Sequence, residues 1–416
     1  MLNTEQVAGN NFLKKNNILK LLILFCSLIC INSVYADETI DSAKTEKTSK
    51  IDLKAVIFDP EFDNKEEIKV EELSDADKIK YNLHEALHGE VKAISTKGLF
   101  ADKMTVKFDE GPIKSIVPWI DYNGSFSNVW TGDNYTNTFY GINFADVGFN
   151  INMRDDKTFV RVMFSPVRYV EGNTYFQSFF ADNYITRKIS KNNTLLVGHT
   201  WVPLGIEGKG SPLILDFFTR SQTSRTYSSV RALGTKLMGN YKYADYQVGF
   251  YSSGRFFKDF FPGPEVAAWV DFKPLANTKG EYGKLTVSGG FDGGNAQSNY
   301  AVGTAAVNYE YKRLRLTTEM GIADGSNGAT GFTSNKSGGV NTTLTYRVTP
   351  KTQVLFRFDQ FDPNTEKAND VRKEYTAGIN YFIKDEALRL IMNFTHYEIE
   401  NGAFGDRIMV GTQIIL

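Results

Sequence analysis

From about Ile113 to Leu416 the chain repeats one pattern: ten to fourteen residues in which apolar and polar side chains alternate, then a turn or a loop. A period of two marks a strand with one apolar face and one wet face. Sixteen such segments can be placed, at about 115–126, 143–154, 158–169, 176–189, 193–204, 230–241, 244–256, 265–274, 282–292, 299–311, 313–323, 337–348, 351–361, 373–383, 386–397 and 406–416. Strands of soluble sandwiches and propellers average about five or six residues, so a different architecture is required. The connections alternate as well. Tight ones fall at 154–157, 190–193, 241–244, 312–313, 349–352 and 384–386, and long ones at 127–142, 205–229, 257–264, 324–336, 362–372 and 398–405. The connection at 275–281 is the exception on the tight side. Turns at one end and loops at the other are what an even-stranded antiparallel barrel with both termini in the periplasm requires.

The two faces of each segment say what surrounds it. Ile408, Val410, Thr412, Ile414 and Leu416 share one face of the last segment, opposed by Arg407, Gly411 and Gln413. Leu388, Leu390, Met392 and Phe394 oppose Arg389, Asn393 and Thr395, while Val354, Phe356 and Phe358 oppose Gln353, Arg357 and Asp359. An apolar face against lipid and a polar face against water are predicted. Tilted strands of this length cross the roughly 25 Å apolar band of an outer membrane. The chain has 31 Phe, 21 Tyr and 35 Gly but 11 Pro, and a mean hydropathy of −0.30, which suits such strands better than a buried helical core. The fold class predicted is therefore all-β, a transmembrane antiparallel β-barrel of 16 strands over 113–416, in the bacterial outer membrane. The closing strand, ending on Leu416, is expected to serve as the assembly signal, although an aromatic is usual at its end.

Ahead of the barrel, Lys14, Lys15 and Lys20 precede an apolar run from Leu21 to Ile31 and then Val34-Tyr35-Ala36. Residues 1–36 read as a secretory signal peptide cut after Ala36. Cys26 and Cys30 leave with it, so disulfides and thiolate metal sites are excluded from the mature chain. Removal of Lys14, Lys15, Lys20 and Glu5 takes 47 basic and 48 acidic residues to 44 and 47, a net charge of −3, and no nucleic-acid partner is implied. Residues 37–112 are dense in Lys, Asp and Glu and are predicted to form a small periplasmic segment. It would hold a helix capped by Ser74 and stopped by Gly89, a short strand near Met104 to Phe108, and contacts to peptidoglycan or a periplasmic partner. Within that helix His84-Glu85-Ala86-Leu87-His88 has the spacing of a zinc protease motif. The third ligand and the enclosing domain are missing, since the next histidine is His199 in the barrel. Neither G-x-S-x-G nor a P-loop occurs, so no enzymatic role, cofactor or metal is expected.

Several stretches resemble the phosphate-selective porin O and P family. Val197-Gly198-His199-Thr200-Trp201-Val202-Pro203 is similar to the family's strand leading into its constriction loop, and Phe217-Phe218-Thr219-Arg220-Ser221 to the loop itself. Arg231-Ala232-Leu233-Gly234 with Gly239 resembles the next strand. Tyr375 to Tyr381 and Leu390 to His396 resemble the closing hairpin. The resemblance implies a homotrimeric sixteen-stranded channel whose third external loop folds inward and narrows the pore. The segment count independently puts the longest loop, 205–229, in third place.

Function is then sought in charges that project into the pore. Alternation turns Arg154, Arg161, Lys236, Lys273, Lys284, Arg315, Arg347, Arg357, Arg389 and Arg407 inward, with Asp146, Asp271, Asp292, Glu310, Glu319 and Asp359. The constriction loop adds Lys209, Arg220 and Arg225 against Glu207 and Asp216, with Arg231 just beyond. Charges of both signs on a wet wall commonly pair across strands. Guanidinium groups in a narrow pore also bind phosphate or carboxylate. Lys209, Arg220, Arg225, Arg231, Arg161 and Arg357 are the candidate anion-binding residues. The expectation is an outer-membrane porin, a passive channel preferring small anions such as phosphate. The alternatives are a general or sugar-preferring porin without strong charge selectivity, and an envelope-tethering or adhesion barrel, to which Phe256, Phe257, Phe260 and Phe261 would offer external contacts.

Overall fold

The computed structural model describes residues 97–167, 179–255, 261–278 and 280–416. The signal peptide, the helix at Ser74 to Gly89 with its His84 to His88 motif, and Phe256, Phe257 and Phe260 lie outside the described residues. A short helix α1 (Ala101–Met104) and a two-residue strand β1 (Val106–Lys107) precede sixteen long strands. These are β2 (Ile113–Thr131), β3 (Asn134–Met153), β4 (Thr158–Phe164), β5 (Phe180–Lys188), β6 (Asn193–Trp201), β7 (Arg231–Asn240), β8 (Ala244–Ser252), β9 (Pro264–Phe272), β10 (Lys284–Asn295), β11 (Asn299–Tyr311), β12 (Leu314–Gly328), β13 (Gly331–Arg347), β14 (Thr352–Asp362), β15 (Arg372–Lys384), β16 (Leu388–Ile399) and β17 (Phe404–Ile415). Every predicted segment corresponds to one of them. Each strand pairs with the next, and β17 pairs antiparallel with β2 from Gly405↔Thr131 to Ile415↔Asp121, which closes the sheet. Closure gives every strand a hydrogen-bonding neighbour on both sides, the condition that lipid imposes on a backbone.

The alternation predicted from sequence sorts the side chains. Phe126, Val197, Phe250, Val270, Phe291, Ile322, Phe356, Leu390 and Val410 are exposed on the outer face. Their neighbours Asp121, Asp292, Glu319, Arg357, Asp359, Arg389 and Gln413 are buried inside. An apolar exterior around a polar interior makes the chain an outer-membrane barrel.

Two expected loops turn out to be strand. The stretch 127–142 continues β2 and β3 to a two-residue turn at Gly132 and Asp133, where Gly132 has φ 58°. A glycine with positive φ at the first central position is the requirement of a tight hairpin turn. Likewise 324–336 is mostly β12 and β13, joined through Ala329 and Thr330. In both, Thr, Asn and aromatic residues pair across the hairpin in water, as in the hydrogen bond from the Thr138 hydroxyl to Asn128 (2.6 Å). Polarity alone therefore does not mark a loop in this chain. The connection expected at 275–281 spans 273–283.

The turns at the opposite end are local devices. Asp155 accepts from the Thr158 hydroxyl (2.8 Å), the Thr158 amide (2.8 Å) and the Lys157 amide (3.0 Å). The Thr158 hydroxyl above all, then these amides, hold the Asp155 carboxyl down at about 2. The described end of the leader is tied to the same rim. Val106 pairs with Ile116, the Leu99 amide donates to the Ile415 carbonyl (2.9 Å), and Arg154 donates to the carbonyls of Phe108 (2.7 Å) and Gly111 (2.8 Å).

Phe356 stands on the outer face of β14, 47% exposed. Phe356→Arg places a charge in the apolar band at a cost of about 2–4 kcal/mol. We expect a reduced folded fraction, read from the mobility of unboiled against boiled protein on a gel. A folded yield equal to the parent's would mean that this face does not meet lipid.

Candidate pore constriction

The connection from β6 to β7 runs over 202–230 and is the third on the loop side. It contains a 3-10 turn at Pro212–Ile214 and a short helix α2 (Gln222–Tyr227), capped by Ser221, whose side chain accepts from the Ser224 amide at 3.3 Å. This loop folds into the barrel. Apolar side chains anchor it: Leu204 and Tyr227 pack with Val302, Ala323 and Phe361, Phe218 with Ile391 and Met409, and Leu213 with Ala387 and Ile415.

An irregular loop inside a barrel brings unpaired backbone groups, and buried N–H and C=O groups need partners. The wall supplies them. The Ile206 amide donates to Glu319 (3.1 Å), Phe218 to Asn393 (2.9 Å) and Gln222 to Asp359 (2.6 Å). In return Arg357 donates to the Thr219 carbonyl (3.0 Å), Arg389 to Leu215 (2.6 Å), Asn380 to Asp216 (2.9 Å) and Gln413 to Leu213 (3.0 Å). Strands β12 and β14 to β17 thus hold a loop that leaves from β6 and returns at β7.

The six candidate residues are all on or beside this loop, and each is engaged. Lys209 pairs with Asp271 (2.6 Å) and lies 4.9 Å from the Trp269 ring centroid. Arg225 pairs with Glu374 (2.7 Å), and Arg357 lies 3.5 Å from Glu207 with its guanidinium over the Phe217 ring. Arg231 and Arg161 share Asp182, at 2.6 Å and 3.6 Å. Arg231 also stacks on Trp201 at 3.8 Å, and Arg161 on Trp119 at 4.4 Å. Arg220 donates to the Gly210 carbonyl (3.0 Å) and faces Trp201 at 5.1 Å, while its second terminal nitrogen meets no hydrogen-bond partner.

Two openings flank the loop. One, about 310 Å³, is lined by Glu207, Asp216, Asp245, Asp271, Glu310 and Glu319 against Lys209, Lys273 and Arg315. Lys273 pairs with Asp245 (2.6 Å) and Arg315 with Asp216, so its acids exceed its bases. The other, about 450 Å³, is lined by Arg220, Arg231 and Asp146 among Phe144, Trp201, Phe217 and Phe218. The excess of inward bases predicted from sequence does not survive. Asp121, Asp182, Glu265 and Glu386 are buried on the inner side, Asp245 lines the first opening and Glu374 meets the loop, and none was counted. The break between β4 and β5 and strand-end positions hid several of them from a strict count of alternate residues.

No family model and no curated protein matches the chain in sequence. Solved structures match in fold. The anion-selective porin from Comamonas acidovorans superposes with a TM-score of 0.55 at 10% identity, over 72% of this chain and 99% of that one. OmpT of Vibrio cholerae gives 0.53 at 9% identity, over 75% and 100%. The channel DcaP of Acinetobacter baumannii gives 0.51 at 12%, over 75% and 99%.

The fold is that of the outer-membrane porins.

Within this porin fold the resembling stretches fall where expected: Val197 to Trp201 ends β6 and leads into the inward loop, and Tyr375 pairs with His396 in the β15–β16 hairpin. What sequence reasoning missed is the wall's dock for the loop. Its signal was the presence of Val302, Ala323, Phe361, Ile391 and Met409 on a face that should otherwise be wet.

Arg357, on β14, is fully buried against the loop. Arg357→Ala leaves the Thr219 carbonyl without its donor and Glu207 without its cation, a loss of roughly 3 kcal/mol for a broken buried pair. Because that loss falls on the loop and not on the barrel ladder, we expect folded protein with a larger, noisier single-channel conductance in planar bilayers. Unchanged conductance would show that the loop is held without it.

Proposed function

We propose that the chain is a passive porin-type channel for small hydrophilic solutes with no strong preference for anions. The observation that carries this reading is the pairing of the loop cations. Lys209, Arg225, Arg231, Arg161 and Arg357 each lie within 4 Å of a carboxylate, and the opening beside Lys209 has more acids than bases. A charge already neutralised at contact distance adds little to the field that a passing ion meets. Glu310 in that opening favours cations mildly.

A second reading, the anion-preferring channel implied by resemblance to the phosphate-selective porins, is favoured by one observation. Arg220 and Arg231 line the larger opening together, and one Arg220 nitrogen is unmatched. There Arg220, Arg231 and Arg161 would contact the anion, while Lys209, Arg225 and Arg357 hold the loop. A homotrimer belongs to both readings. Strand β4 has seven residues, fewer than the roughly nine to eleven that a lipid-facing strand needs, so a neighbouring copy against this wall would relieve the shortfall. One fold match is described as a trimer form of Vibrio cholerae OmpT.

The reversal potential of single channels in a potassium chloride gradient separates the readings. The first expects potassium and chloride permeabilities within a few-fold of each other, little block by phosphate, and a shift toward chloride in Glu310→Gln. A strongly chloride-selective pore that phosphate blocks, with both effects weakened in Arg220→Ala, would overturn the first reading in favour of the second.

A further inference from the structure

Away from the constriction, four neighbouring strands put oxygen atoms together on the inner wall. Tyr251 on β8 is the register partner of Glu265 on β9, Glu265 is the partner of Gly294 on β10, and Gly294 is the partner of Tyr300 on β11. Asp292 lies two residues from Gly294 on the same face. Gly294 leaves the middle of this group without a side chain. A Cβ built there would stand 3.0 Å from the Tyr300 hydroxyl oxygen and 3.0 Å from the Glu265 Cα, so the phenol occupies the space that a larger residue would take. Glu265, Asp292 and Tyr251 are 0% exposed and Tyr300 is 4% exposed. Glu265 and Asp292 are close enough for direct charge interaction.

We propose that Tyr251, Glu265, Asp292 and Tyr300 bind a hard, oxygen-preferring metal cation of the calcium type at a site separate from the solute path. Both Asp292 carboxylate oxygens, Glu265 Oε1 and the hydroxyls of Tyr251 and Tyr300 make no hydrogen bond of good geometry, although Asp292 and Tyr300 each lie close enough to Glu265 to interact with it. Buried oxygens without good partners on neighbouring strands are costly unless something positive sits among them. Arg255 does not meet that need. One of its terminal nitrogens is committed to Glu265 Oε2 (2.6 Å), and its remaining nitrogens donate to the Asn327 carbonyl at 3.2 and 2.8 Å. It offsets one of two carboxylate charges and leaves the other, along with the five oxygens. Carboxylate and neutral oxygens without nitrogen or sulfur form the ligand set of calcium-type ions. The cation would tie β8 to β11 together and, through Glu265 and Arg255, fix the start of the loop that follows β8.

The test uses the full-length mature barrel, refolded in detergent and stripped of divalent ions, with terbium as the probe. Terbium takes the same oxygen ligands as calcium and is excited through adjacent tyrosines. We expect tyrosine-sensitised luminescence that saturates at one ion per chain, is displaced by calcium and not by sodium, and dims in Tyr300→Phe. Asp292→Asn should weaken calcium binding by roughly tenfold or more, with gel mobility confirming that the variant is folded. Folded parent protein with no sensitised signal and no bound calcium in equilibrium dialysis overturns the proposal, and is the result that a single proton shared between the two carboxyls would give. Folded Asp292→Asn that binds calcium as tightly as the parent overturns it too, since the ion would then lie elsewhere. If Asp292→Asn does not fold, the measurement on the parent with Tyr300→Phe still decides.

Discussion

The constraint on which this molecule depends is that no backbone amide or carbonyl in the apolar band of a membrane can be left without a partner. Sixteen strands meet it by pairing in sequence and by joining β17 to β2 over eleven residue pairs. Closure then fixes the rest. A closed ladder of alternating residues has an outside that only lipid suits and an inside that only water or more protein suits. Phe356 faces one way, while Arg357 and Asp359 on the same strand face the other. No helix among the described residues is long and apolar enough to share the work of crossing.

The same rule governs the interior at smaller scale. The loop 202–230 has little regular structure, and inside a barrel it cannot rely on bulk water for its backbone. Its polar groups are met one at a time by side chains of the wall, amides by Glu319, Asn393 and Asp359, carbonyls by Arg357, Arg389, Asn380 and Gln413. Leu204, Leu213, Phe218 and Tyr227 exclude water from between them. The narrowing is therefore a packed and hydrogen-bonded substructure, and a single substitution in it loosens the loop without opening the barrel.

This explains how much of the structure was legible in the residues. All sixteen strands were, because a lipid face tolerates few exceptions to alternation, and the inward loop was placed by its length. The loop-side hairpin tips were not. Beyond the membrane the apolar half of the pattern is no longer required, so β2, β3, β12 and β13 continue with Thr, Asn and Tyr where a loop was expected. For the charges of the site, alternation left the partners unassigned. Arg161 and Arg231 share Asp182, near the start of β5, a pairing that alternation does not reveal. Alternation gives the face of a residue. It does not give its neighbour across the lumen, which depends on shear and on where the loop lands.

Counting charges is for that reason a poor guide to what a pore selects. Arg389 is 2% exposed, donates to the Leu215 carbonyl and Gln413, and pairs with Glu386 at 3.0 Å. To bind a passing anion it would have to release groups that become unpaired in a space with little water, a loss comparable to what the anion would supply. An arginine that holds a loop and an arginine that attracts a solute look alike in sequence. They differ in whether their nitrogens are already committed. Lys209 and Arg225 belong to pairs at the edge of the opening, and Arg389 belongs to the architecture. Arg357 and Arg220 both keep nitrogens without a partner, but Arg357 is fully buried and lines neither opening, whereas Arg220 lines the larger one. On the proposed reading the groups left to meet a passing ion are few: the unmatched part of Arg220 on one side of the loop, and Glu310 on the other.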